Sequence, residues 1–250
     1  MANEAAPSAT VRERLIQKYN AFKAGNPGVS YAEWLDRWEM DSIAGGKPHA
    51  TLGPRLRKHE NWWDAGAGTF RRYQRWFPFV PSSKVVDYGC GSLRVGGHFI
   101  RFLDPGCYFG LDVICGFYDM GKELVGPQLL EEKKPRFAII DDASVREAAT
   151  FGADFVYSSA VSYHVLPDEA PPYFRNLSTI CWRPGANLFF DVSLSDAPIH
   201  DLQLSMPLDY FKAALPELDF VTYHEIDRVE ASGQSIGIVH FRRPATPGVA

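Results

Sequence analysis

Cysteine is scarce in this chain, and the four present, Cys90, Cys107, Cys115 and Cys181, lack the close paired spacing of a zinc site or a redox motif. Disulfide frameworks and metal-stapled scaffolds are therefore set aside, and free thiols in a reducing compartment are expected. Apolar runs are short: none approaches the roughly 18 residues of a membrane-spanning helix, so no membrane partner is expected. The opening MANEAAPSAT, followed by VRERL, lacks the basic start and apolar stretch of a secretory leader, and a cytoplasmic location is the expectation. A basic excess is missing as well, with 26 Lys and Arg against 30 Asp and Glu and a net charge of −4. That balance leads us to expect no nucleic-acid partner and favours a small or neutral one, bound by a monomer or homodimer. What remains is ordinary for a globular protein: 46% hydrophobic and 22% charged residues. A chain of this size removes roughly 70–75% of its unfolded surface from water, enough for a core without staples.

The first eighty residues read as helical. In Thr10 to Phe22, Val11, Leu15, Tyr19 and Phe22 recur at helical spacing, and Thr10 with Glu13 fits a capping box. Ser30 and Glu33 form a second candidate box, with Tyr31, Trp34, Leu35 and Trp38 on one face. Residues 45–58 read as a linker, and a further helix is expected from about Thr69 to Phe77, with Phe70, Tyr73 and Phe77 inward and Arg71, Arg72 and Arg75 outward. This divides the chain into a helical extension with linker (1–58), a main domain (59–243) and a frayed tail (244–250).

From Lys84 the pattern changes to short β-rich runs: Val85–Tyr88, Cys107–Val113, Arg136–Ile140, Asp154–Ser158, Ala186–Val192, Phe220–Ile226 and Ser235–Phe241. The first five are separated by segments long enough for crossover helices, and the last two by a short polar stretch that suits a hairpin. An α/β fold is expected: a seven-stranded, mostly parallel, doubly wound sheet with an antiparallel last strand, plus the N-terminal helical extension.

The chemistry gathers where these strands end. Val85-Val86-Asp87-Tyr88-Gly89-Cys90-Gly91-Ser92-Leu93-Arg94 runs from a strand through two glycines toward a helix, so a ligand can lie against bare backbone near a positive helix end. A dinucleotide fingerprint wants a third glycine where Arg94 stands, which lowers that reading. Asp112 closes the second strand about twenty residues on, where an acidic side chain accepts hydrogen bonds from both ribose hydroxyls. The third strand ends in Ile140-Asp141-Asp142-Ala143, placing a carboxylate for an adenine amino group, and the fourth in Ser158-Ser159-Ala160-Val161-Ser162-Tyr163-His164. Each residue has an ordinary explanation: Asp112 as a turn former, Asp142 as a helix cap, His164 as a packed loop histidine. Their shared order along one sheet edge favours a nucleoside.

Residues 80–243 resemble the class I S-adenosylmethionine (SAM)-dependent methyltransferases, through VVDYGCGS, YFGLDV, IIDDAS and DFVYSSAVSYHVLPDE. The resemblance implies SAM as cofactor, with Asp87, Gly89, Cys90, Gly91 and Arg94 along its methionine portion, Asp112 and Val113 at the ribose, Asp142 and Ala143 at the adenine, and Ser158 or Ser159 near the amino-acid end. The sequence departs from the family at Ser92-Leu93-Arg94, where many members have another small residue. Arg94 reads equally as a partner of the cofactor carboxylate or as a helix-surface arginine.

Methyl transfer depends mainly on holding a nucleophile in line with the methyl group, and such positioning supplies about 7–11 kcal/mol. His164, just past the fourth strand, is the candidate base, with Tyr163 and Asp191 as weaker candidates. No metal is expected, because no carboxylate cluster stands at the fourth and fifth strand ends. Ala170-Pro171-Pro172-Tyr173 imitates an amino-methylating DNA-enzyme motif but lies too far downstream and reads as a helix start. The expected function is methylation of a small-molecule acceptor, a hydroxyl in preference to an amine. The rivals are an RNA or protein methyltransferase, which requires the arginines at 71, 72, 75 and 94 to converge, and a non-catalytic methyltransferase-like domain.

Overall fold

The structure is a computed structural model that describes residues 11–27, 29, 34, 37–38, 62–64, 66–162, 165–166, 169–196, 205–229 and 234–245. Helix α1 spans Val11–Gly25, close to the expected segment. Both candidate capping boxes, the 45–58 linker and the tail beyond residue 245 lie outside the described residues. Helix α2, Ala67–Trp76, buries Tyr73 and leaves Arg71 and Arg75 exposed, as its spacing predicts. Arg72 differs from the expectation: it is half-buried.

Strand β1 (Val85–Tyr88) leads to α3 (Gly96–Phe102) and β2 (Tyr108–Asp112), then α4 (Cys115–Val125), α5 (Pro127–Lys133) and β3 (Arg136–Ile139). Helix α6 (Asp142–Phe151), β4 (Phe155–Ser158), α7 (Ala170–Ile180) and β5 (Asn187–Leu194) follow. The chain then forms β6 (Ser205–Met206), α8 (Leu208–Ala214), β7 (Asp219–Val229) and β8 (Gln234–Arg242). The strands make one sheet in the order β3-β2-β1-β4-β5-β8-β7, with β6 a two-residue addition to β5. Strand β8 runs antiparallel to both neighbours, and every other pairing is parallel, so the expected mixed sheet is present with one short strand more. The extra strand escapes sequence reading because two residues carry no period. Helix α7 begins at Ala170 with proline in its first turn, where a missing N–H costs nothing.

Side chains alternate across the sheet and feed two cores. Val86, Tyr88, Phe109, Leu111 and Val156 face α6, α7 and α8. Val85, Tyr108, Phe155, Tyr157 and Phe189 face α2, α3 and α4. Tyr73 of α2 is fully buried in this second layer, with ring centroids 5.4 Å from Phe155, 5.3 Å from Tyr157 and 5.7 Å from Phe189. Trp76, one turn on, stacks on His224 of β7 at 3.9 Å. Helix α2 is thereby a layer of the sheet domain. Trp62 packs on Gly97 of α3, and the Arg101 guanidinium lies 3.6 Å from the ring centre of Trp63. A third, small cluster joins Tyr19 of α1 and Trp34 to Leu166, just beyond the β4 exit.

Tyr73→Ala is expected to cost about 3–5 kcal/mol of unfolding free energy, the range for large buried aromatics, read from denaturant midpoints. A loss below about 1 kcal/mol would show that α2 contributes little to the core.

Candidate functional site

The carboxyl ends of β1, β2, β3, β4 and β5 form one edge, and the loop after β1 is its centre. Gly89 (φ +82°) and Gly91 (φ +53°) adopt left-handed backbone, which lets the chain reverse and lie against β2. Gly89 and Cys90 N–H both donate to the Leu111 carbonyl, at 2.7 and 2.9 Å. A Cβ on Gly89 would collide with Val161 in the β4 exit, so the glycine is required for close approach as well as for φ. Leu93 and Ala160, both at φ +59°, are non-glycine residues held in the same strained region on either side of the edge.

Asp112 ties this loop to β2. Its Oδ2 accepts from Gly91 N–H at 2.7 Å and its Oδ1 from Ile114 N–H at 3.2 Å. Burial pushes its pKa up to about 6, against the opposing pull of the Gly91, Ile114 and Val113 backbone donors. Beside it, Val113 is 44% exposed, an apolar ledge at the edge. Asp141 caps α6, accepting from Ser144 N–H at 2.7 Å in a reciprocal box. The cap is therefore one residue before the predicted acid, and Asp142 and Ala143 are left exposed on the first turn of α6.

Asp87 lies beneath the loop. Tyr157 is its cross-strand neighbour on β4, and Tyr108 is diagonal to it on β2, with glycine at the directly opposed position 110. Both phenols donate to Asp87 Oδ2, at 2.6 and 2.7 Å. Burial nonetheless raises its pKa to about 7. The two tyrosines were missed in sequence, although the pairing register of three parallel strands puts them on one face. Cys90 is buried toward Gly110, and burial holds its thiol well above its ordinary range. Ser92 is buried with no partner for its hydroxyl among the described residues.

At the β4 and β5 exits, Ser158 turns into the core, where its Oγ accepts from Tyr173 at 2.9 Å. Ser159 faces the edge instead: its side chain and the Ala160 N–H both bond the Asp191 carboxylate. The Ser162 hydroxyl donates to the Asp191 carbonyl. Burial raises the Asp191 pKa to about 6, with Arg94 and Arg72 pulling it back down. Asp191 thus joins the edge more firmly than its minor place in the sequence reading implied. Tyr163 and His164 lie outside the described residues. Two surface cavities, lined by Phe174, Arg175, Tyr210 and Glu217 and by Thr150, Trp182 and Arg243, contain none of the predicted site residues. Among the described residues, no helix is long and apolar enough to cross a membrane.

This sheet order is shared with solved structures that include methyltransferases holding SAM or S-adenosylhomocysteine. Magnesium protoporphyrin IX methyltransferase from Synechocystis PCC 6803, with bound S-adenosylhomocysteine (SAH), superimposes with a TM-score of 0.58 at 12% identity over 85% of this chain and 97% of that one. The [4+2]-cyclase SpnF superimposes with a TM-score of 0.59 at 11% identity over 97% and 100%. Phosphoethanolamine N-methyltransferase 2 from Haemonchus contortus, in complex with SAM, gives 0.60 at 11% identity, covering 86% of this chain and 60% of that one. No protein-family model matches the chain, and no curated protein matches it in sequence.

Asp87, Asp112 and Asp191 all have folded pKa values above the ordinary 3.8. The folded state therefore holds protons that the unfolded chain releases. The stability this confers is full below about pH 4 and is lost as pH rises through about 6 and 7. Asp87→Asn keeps an acceptor for both phenols but cannot ionise, so the fall in melting temperature between about pH 5 and pH 8 should become shallower. An unchanged or steeper fall would contradict the assignment.

Proposed function

We propose that this protein is a SAM-dependent methyltransferase acting on a small-molecule acceptor. The observation that carries the reading is Asp112: a buried carboxylate at the end of β2, bonded to the glycine loop and flanked by the exposed Val113. The Asp112 carboxylate accepts backbone N–H groups from Gly91, Ile114 and Val113, and of its roughly four lone-pair sites it keeps room for a ribose hydroxyl. The donor set fits a nucleoside: Val113 offers an apolar face to the adenine, Asp142 accepts from its amino group, and Ala143 is small enough for the ring to pass. Asp87, Gly89, Gly91 and Arg94 stand along the methionine portion, with Ser159 near its amino-acid end. Cys90 and Ser158 act from behind, as packing for the loop and for β4.

When bound, SAM supplies an electrophilic methyl group on a sulfonium. The chain's own work is positioning. The loop backbone and Asp112 orient the cofactor, and Tyr108 and Tyr157 stabilise Asp87 beneath it. Asp191 with Ser159 and Ala160 shapes the wall where an acceptor approaches. A hydroxyl acceptor is preferred to an amine because His164, with Tyr163 beside it, follows the β4 exit and is suited to take up the proton. Arg71 and Arg75 face solvent while Arg72 and Arg94 are half-buried, an arrangement that favours a compact acceptor over an RNA or protein face.

Calorimetric titration with SAH tests the reading. Saturable binding is expected, with Asp112→Ala weakening it about a hundredfold, since hydrogen bonds to a charged group contribute about 1.5–3 kcal/mol each. Absence of heat with the wild-type protein, or unchanged affinity in a folded Asp112→Ala variant, would overturn it.

A further inference from the structure

Strands β4 and β5 part at Ser158 and Phe190, the last pair of their register, while β5 runs on to Leu194. Asp191 is the first residue past this fork, and it holds the departing β4 chain at several points. Its Oδ2 accepts the Ala160 N–H, its backbone carbonyl accepts the Ser162 hydroxyl, and its carboxylate also bonds the Ser159 side chain. Between those anchors Ala160 is kept at φ +59°. Left-handed backbone costs a non-glycine residue a factor of about ten in population, and it persists only where its surroundings impose it. Ala160 is exposed, so packing of its own side chain does not impose it. The hydrogen bonds to Asp191 do.

The next residue carries the consequence to the glycine loop. With Ala160 turned in this way, Val161 lays its side chain on the backbone of Gly89, so closely that a Cβ on that glycine would overlap it. Gly89 N–H in turn donates to the Leu111 carbonyl at 2.7 Å, and Gly91 N–H to Asp112 Oδ2 at 2.7 Å. Direct contacts therefore run from the end of β5, through the β4 exit and the glycine loop, to the acid at the end of β2. Without Asp191 the exit would relax into the regions of backbone space that alanine prefers, and Val161 would leave Gly89.

We infer that Asp191 is a positioning residue: it latches the β4 exit against the glycine loop, so that the acceptor wall and the cofactor loop form as one unit. Its carboxylate is already engaged by Ala160 and Ser159, which suits it to hold the exit and not to take a proton from an acceptor. This rests on the proposed methyltransferase reading for its ligand, and it extends that reading from the groups around the crevice to what sets the crevice's shape.

The test is SAH affinity by calorimetry, with amide hydrogen exchange at Gly89 and Cys90 as a reporter remote from Asp191. A ligand that takes only the latched form loses apparent affinity in proportion to that form's population. Asp191→Ala is therefore expected to bind SAH about tenfold more weakly, with faster exchange at both amides. Ala160→Gly needs no latch to hold a positive φ, and in the Asp191→Ala background it should restore affinity to within about threefold of wild type. Asp191→Asn keeps a carbonyl oxygen for the Ala160 N–H and should also stay within about threefold. Ala160→Val leaves Asp191 in place but disfavours positive φ further, so it should reproduce the loss, and it decides the matter should Asp191→Ala fail to fold. Wild-type affinity in Asp191→Ala or Ala160→Val would overturn the inference, as would failure of Ala160→Gly to restore binding in a folded double variant. An Asp191→Asn variant as weak as Asp191→Ala would also overturn it, because the carboxylate's charge would then act on the ligand directly. If the wild type binds no SAH, the methyltransferase reading fails, and exchange at Gly89 and Cys90 in ligand-free Ala160→Val still decides whether the exit holds the loop.

Discussion

The hydrogen bond from Gly91 N–H to Asp112 Oδ2, at 2.7 Å, is the constraint on which the rest of the edge depends. It joins the loop after β1 to the end of β2, and with the Leu111 carbonyl accepting from Gly89 and Cys90 it closes the turn on three donors. A carboxylate that accepts backbone donors in a buried setting is held in a single orientation. Position, more than acid–base chemistry, is what an in-line transfer asks of a protein, so a loop locked in this way is suited to the proposed reaction.

Beneath that loop the structure concentrates polar groups in an otherwise aromatic layer. Asp87 is buried beside Tyr108 and Tyr157, the latter stacked on Phe99, and two phenols on one oxygen offset only part of the cost of burying its charge. Helix α2 covers the same layer and brings Gly66, Arg72 and Tyr73 to three successive points along it. That helix falls within the 59–243 domain in sequence, and its buried Tyr73 makes it a layer of the same core.

The strands were legible because short β-rich apolar runs, separated by helix-length spacers, leave few alternatives for a parallel sheet buried on both faces. The glycine turn and Asp112 were legible because tight reversal and strand-end placement each have a residue signature. Other features depend on three-dimensional register and have no local signal. Tyr108 and Tyr157 meet Asp87 only because β2, β1 and β4 are neighbours. Ser158 and Ser159 are consecutive and chemically alike, yet strand alternation sends one into the core toward Tyr173 and the other to Asp191. Arg72 has the same helical context as Arg71 and Arg75 in sequence, and its half-burial follows from how α2 seats Tyr73. The capping acid of α6 was misplaced by one residue because Asp141 and Asp142 are chemically equivalent candidates for the same position.

Amide hydrogen exchange with and without SAH tests the central claim most directly. Exchange is expected to slow on ligand addition at Gly89 to Arg94, at Val113 and Ile114, and at Asp142 and Ala143, with residues Leu208 to Glu217 unchanged. Protection confined to α7 and α8, or no protection at the glycine loop in the presence of saturating ligand, would contradict it.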